Sequence, residues 1–168
     1  MNSVKRVVLP AVFIALLIGG QLALSMVSGV EIVTVLLLSF CYRYGVKQGL
    51  LVATGFSLLR CFVFGFYPGV VILYLVYYNL FALLFGTLGK TFRGEYSVGK
   101  HAAVLISAVI MTVFFTLLDD VITPLLYGFS FGAAKTYFFS SLYAVVPQTV
   151  CAFVTTLLLF PVLIKIMR

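Results

Sequence analysis

The chain alternates long apolar runs with short clusters of glycine, proline and charge. The first run covers about Val4–Val27 and ends at Ser28-Gly29. A shorter one, about Val30–Tyr44, is stopped by Gly45. The third, about Val46–Phe66, meets Tyr67-Pro68-Gly69. The fourth, about Pro68–Leu88, opens with a proline suited to a first helical position. A polar stretch from Lys90 to Lys100 follows. The fifth run covers about His101–Val121 and ends near Pro124. Beyond the loop Tyr127–Gly132, the sixth covers about Ala134–Met167, with Pro147 expected to bend it. A helix needs about 20 apolar residues to cross a bilayer, and the glycines and prolines between the runs are helix stops. The pattern predicts an all-α integral membrane protein, a six-transmembrane-helix bundle forming a single domain over residues 1–168. Apolar residues occupy every side of each run, so periodicity does not separate a buried face from a lipid-facing one. The second run is short for a full span. It predicts either a tilted helix or one entered through an unwound Gly29–Glu31 stretch lining a cavity.

Composition agrees and excludes other classes. Hydrophobic residues make up 64% of the 168 and charged residues 9%, against about 45–50% and about 25% in a soluble domain. Disorder needs low hydrophobicity. The net charge of +7 does not point to nucleic acid, because so few charges build no basic face. Cys41, Cys61 and Cys151 form no CxxC pair and leave one over in any pairing, which argues against a disulfide or zinc framework. Lys5 and Arg6, with Ala23-Leu24-Ser25 beyond, have the outline of a signal peptide, but the run to Val27 is too long and reads as a retained first helix. No internal repeat relates the two halves, unlike the inverted repeats of many secondary carriers.

Charge position matters more than charge total. Alternate ends of the six runs carry Lys5 and Arg6, Arg43 and Lys47, Lys90, Arg93 and Lys100, and Lys165 and Arg168, nine of the eleven basic residues. By the positive-inside rule this side is cytoplasmic, with both termini inside. With Glu95 it carries a net +8. The opposite level holds Glu31, Arg60, Asp119, Asp120 and Lys135, a net −1. A charge at bilayer depth costs about 2.5–3.5 kcal/mol on insertion scales and so faces a partner or a wet cavity. Asp119 and Asp120 are expected at the end of the fifth helix. Five such groups from four parts of the chain predict a polar pocket opening outward; interfacial residues and internal salt bridges are the plainer alternative. Gln21, Asn79 and Gln148 add hydrogen-bonding groups, and Tyr74, Tyr77, Tyr78, Tyr137 and Tyr143 add rings that can stack on a flat ligand. Part of the tyrosine set, Tyr67 and Tyr127 first, is expected in an interfacial belt.

Enzyme motifs are lacking. Gly86-Thr87-Leu88-Gly89-Lys90-Thr91 has the end of a phosphate-binding loop, but Leu84 stands where its first glycine belongs. His101 is the single histidine, at the inner start of the fifth run; there is no HExxH pair and no Ser/His arrangement at bilayer depth. Asp119 and Asp120 project about 100° apart on a helix and form no ready dyad. No catalytic residue, metal ligand or cofactor is expected, and no nucleic-acid partner.

The first run also carries Ala11, Ala15, Gly19 and Ala23, a small residue at every fourth position. Such a strip admits a close helix approach, either within the molecule or from a partner. Ala11-Val12-Phe13-Ile14-Ala15 resembles the AxxxA motif in the first helix of substrate-binding S components of energy-coupling factor (ECF) transporters. The resemblance extends to Ser28-Gly29-Val30-Glu31-Ile32-Val33, to Leu73-Tyr74-Leu75-Val76-Tyr77-Tyr78-Asn79, to the Asp119–Pro124 region, and to the length and the six short-looped spans. It implies a multi-pass protein of the bacterial plasma membrane that binds a vitamin or related micronutrient from outside. The site would draw on Glu31, Arg60, Tyr74, Tyr78, Asn79, Asp119, Asp120, Lys135 and Gln148. It implies docking through Ala11, Ala15, Gly19 and Ala23 on a transmembrane scaffold subunit driven by two cytoplasmic ATPases, which hydrolyse the ATP in this chain's place. The outer loops Val27–Val30, Gly65–Gly69 and Leu126–Gly132 would form a lid. A nitrogen heterocycle of the queuosine-precursor, cobalamin or thiamin-precursor class is the expected substrate. Other readings are a stand-alone secondary transporter or channel, and an intramembrane enzyme.

Overall fold

Glycine and proline end the helices much as their spacing predicts. The computed structural model describes residues 3–27, 32–92 and 97–167. It is all-helical over these residues: α1 Ser3–Leu24, α2 Val33–Tyr44, α3 Val46–Phe64, α4 Pro68–Thr91, α5 Val98–Leu126 and α6 Phe131–Ile166. Gly45 joins α2 to α3 in a single-residue turn at φ +81°, a region that side-chain-bearing residues avoid. Gly65 closes α3 at φ +101°, its N–H donating to the Cys61 carbonyl at 2.9 Å. Pro68 takes the first turn of α4, and Ser130 caps α6 by accepting from the Ala133 N–H.

Five helices, α1, α3, α4, α5 and α6, are long and apolar enough to cross a membrane. Their outward faces carry side chains such as Val12, Phe62, Ile72, Ile110, Val121 and Val150. That is the surface of a multi-pass membrane protein, where lipid replaces water against the apolar girdle. The 12-residue α2 is about 18 Å long. It is buried on every side from Val33 to Cys41, packed among α1, α3, α4 and α6. Leu37, Leu38 and Phe40 of α2 meet Phe56 of α3, Phe81 and Phe85 of α4 and Val104 of α5 in one core.

At one end α4 runs hard against the α2–α3 turn. A Cβ on Gly89 would fall on the Tyr42 carbonyl, and one on Gly86 would come within 2.7 Å of Val46 Cα. Small residues are what permit this approach. Arg43 Nε donates to the Met167 carbonyl at 3.0 Å at this same end, and His101 packs edge-on against Phe160. Exposed Lys47, Lys90 and Lys165 belong to it as well.

The fifth helix departs from expectation. It starts at Val98 and runs through Pro124 to Leu126. The proline has no N–H to donate to the Asp120 carbonyl four residues before it, yet the helix runs on, as α1 does past Pro10 and α6 past Pro147 and Pro161. Asp119 and Asp120 therefore lie inside α5, seven and six residues before its end, and do not cap it. The connecting loop shortens to Tyr127–Ser130, and α6 is continuous through Pro147 and Pro161.

Candidate functional site

Tyr74, Tyr77 and Tyr78 fall on one side of α4 because positions three and four apart share a helix face. All three are buried, at 8%, 3% and 4% exposure, so they do not belong to an interfacial belt, whereas Tyr67 and Tyr127 are exposed. Phe115 of α5 stands edge-on to Tyr77 at 4.8 Å and to Tyr74 at 5.7 Å between ring centroids. Phe56 of α3 braces Tyr78 from behind at 5.1 Å. These edge contacts fix the ring planes and leave a void before them. Gln21 of α1, Thr34 of α2, Thr112 of α5 and Gln148 of α6 complete the wall of a cavity of about 160 Å³. The Thr112 hydroxyl donates to the Ala108 carbonyl at 3.0 Å, which leaves its oxygen to accept. Among the described residues the wall is thus four aromatic rings, three of them phenols, with two carboxamides and two threonine hydroxyls, and no charge.

Arg60 stands behind this wall. Its Nε donates to Gln21 Oε1 at 3.1 Å, and its Cζ lies 4.0 Å from the Tyr74 ring centroid and 4.9 Å from that of Phe64. Stacking on two ring faces offsets part of the cost of a cation at this depth.

The aspartates have other partners. Asp119 accepts from Tyr137 Oη at 2.7 Å and from Thr123 Oγ1 at 2.6 Å, and Asp120 accepts from Ser141 Oγ at 2.8 Å. The second Asp120 oxygen is buried without a hydrogen-bond partner among the described residues. The Tyr137 and Ser141 bonds clasp α5 to α6, while the Thr123 bond lies within α5 and steadies Asp119. Asn79 is also used between helices: it accepts from Thr54 Oγ1 at 2.9 Å and donates to the Leu75 carbonyl at 2.7 Å. Lys135 is exposed near the start of α6.

Of the expected site residues, then, Tyr74, Tyr78 and Gln148 line the cavity, and Arg60 adjoins it. Asn79, Asp119, Asp120 and Lys135 are not in its wall. Glu31 lies outside the described residues, as does most of the expected Val27–Val30 loop. Thr34, Thr112 and Phe115 went unforeseen. The only signal for the threonines was a hydroxyl inside an apolar run. That signal is faint, since threonine readily satisfies itself on its own helix.

The strip on α1 faces outward. Ala11, Ala15, Gly19 and Ala23 are all exposed, while Ile14 and Leu17 on another face of the helix are buried in the core. A Cβ on Gly19 would meet nothing within 4 Å. The strip therefore does not serve packing within the chain.

No family model matches the chain, and no curated protein or solved structure matches it.

Proposed function

We propose that the chain is the substrate-specificity subunit of an ECF-type importer of the bacterial plasma membrane. In this reading six helices span the bilayer, α2 by lying in the protein interior, and both termini are cytoplasmic with the basic end. The cavity carries the reading. Its wall draws on five helices, α1, α2, α4, α5 and α6, and combines ring faces with hydrogen-bonding groups, as a small-molecule site does. It lies away from the basic end, toward the proposed outer surface. An engineered cavity of about 150 Å³ takes benzene, so a volume of about 160 Å³ suits one compact ring system. This favours a planar heterocycle such as a pyrimidine or deazapurine. Cobalamin would require the helices to part.

The outward-facing Ala11, Ala15, Gly19 and Ala23 supply the second half of the proposal, a smooth strip for a helix of the scaffold subunit. The two cytoplasmic ATPases act through that scaffold. Ala15→Trp places a large ring on the strip, remote in role from the cavity. It is expected to abolish co-purification with the scaffold and ATPases while the isolated subunit still retains its small molecule. Normal co-purification of the variant would refute the docking surface. Uptake by vesicles that contain only this chain would favour a stand-alone carrier instead.

A further inference from the structure

We infer that the molecule taken into the cavity is a planar ring bearing a carboxylate or phosphate, and that Arg60 is the residue that reads this anion. The inference rests on the cavity being a ligand site. Gln21 and Tyr74 both line the cavity, and both hold Arg60: Gln21 through Nε, Tyr74 through the face of the guanidinium. Those contacts leave the two Nη groups, whose N–H bonds form the fork that matches a carboxylate or phosphate. Among the described residues no carboxylate pairs with Arg60. Of the acids that the sequence puts at this level, Asp119 and Asp120 accept instead from Tyr137, Thr123 and Ser141, and Glu31 lies outside the described residues. A cation stacked on rings at bilayer depth, positioned by a residue of the cavity wall, is a preorganised anion site. The described residues of the wall carry no charge, so the ring that enters it is neutral, with Gln148 and Thr112 at its polar edge. A cationic ring would meet Arg60 with no acid among the described residues of the wall to offset it.

The test uses the purified full chain and a deproteinised cell extract, split on anion-exchange resin at neutral pH into retained and flow-through pools. Inorganic phosphate serves as the ring-free anion. The readout is the thermal unfolding temperature across a dilution series of each pool. The retained pool is expected to raise it, with no effect of the flow-through or of phosphate. Arg60→Gln is expected to need about tenfold or more of the retained pool for the same rise. Should that variant not fold, Arg60→Lys carries the test, since it keeps the charge and loses the fork. It is expected to be weakened as well, by less. A rise from the flow-through alone, or an unchanged response of the Arg60 variants, overturns the anion proposal and leaves the ligand site standing. A full rise from phosphate alone overturns the ring. No rise from either pool overturns the anion proposal and the ligand site together.

Discussion

Two of the polar places among the described helices differ in what their polar groups face. Gln21, Thr34, Thr112, Gln148 and three tyrosines line one cavity. Between α5 and α6, Asp119 and Asp120 meet hydroxyls from Tyr137, Thr123 and Ser141 at 2.6 to 2.8 Å. The second place holds more formal charge, yet it is occupied by the protein's own side chains. The first has no charge in its wall and leaves room for a guest. Polarity within a membrane bundle thus marks either a clasp or a site, and the space beside the groups tells which.

Substitutions separate the two. The largest effect is expected at the framework they share: Gly89→Ala drives a methyl into the Tyr42 carbonyl and should cost about 3 kcal/mol of stability, read by thermal or denaturant unfolding in detergent. Both places should fail together. Thr112→Met puts a flexible apolar chain into the cavity. It should weaken retention of the small molecule about tenfold or more while changing stability by less than about 1 kcal/mol. Asp119→Ala removes one clasp contact, from Tyr137, and one contact within α5, from Thr123, at an expected cost of about 1–2 kcal/mol with binding unchanged. Tyr137→Phe removes one and should cost about 0.6 kcal/mol. A binding loss in either clasp variant that exceeds its loss of folded protein would merge the two places into one.

Much of the architecture was legible because backbone chemistry punctuates the chain. Gly45 and Gly65 end α2 and α3 at positive φ, and Pro68 opens α4 at its first turn. Pro124 misled because a proline inside a helix need not end it, as Pro10, Pro147 and Pro161 also show, so α5 ran on and carried the aspartates inside it. The tyrosine face of α4 was readable from spacing alone. The partners of the charges were not, since a chain apolar on every side gives no facing signal. One of them was open to calculation: a hairpin folded about Tyr127–Ser130 sets residue 119 opposite the region of Tyr137. The convergence of Gln21, Arg60 and Tyr74 from α1, α3 and α4 had no comparable local cue.

The most direct measurement is native mass spectrometry of gently purified protein, comparing wild type, Thr112→Met and Asp120→Asn. The wild type and Asp120→Asn are expected to carry one additional small-molecule mass, and Thr112→Met to lack it. Loss of that mass in Asp120→Asn with retention in Thr112→Met would contradict the account and move the site to the α5–α6 clasp.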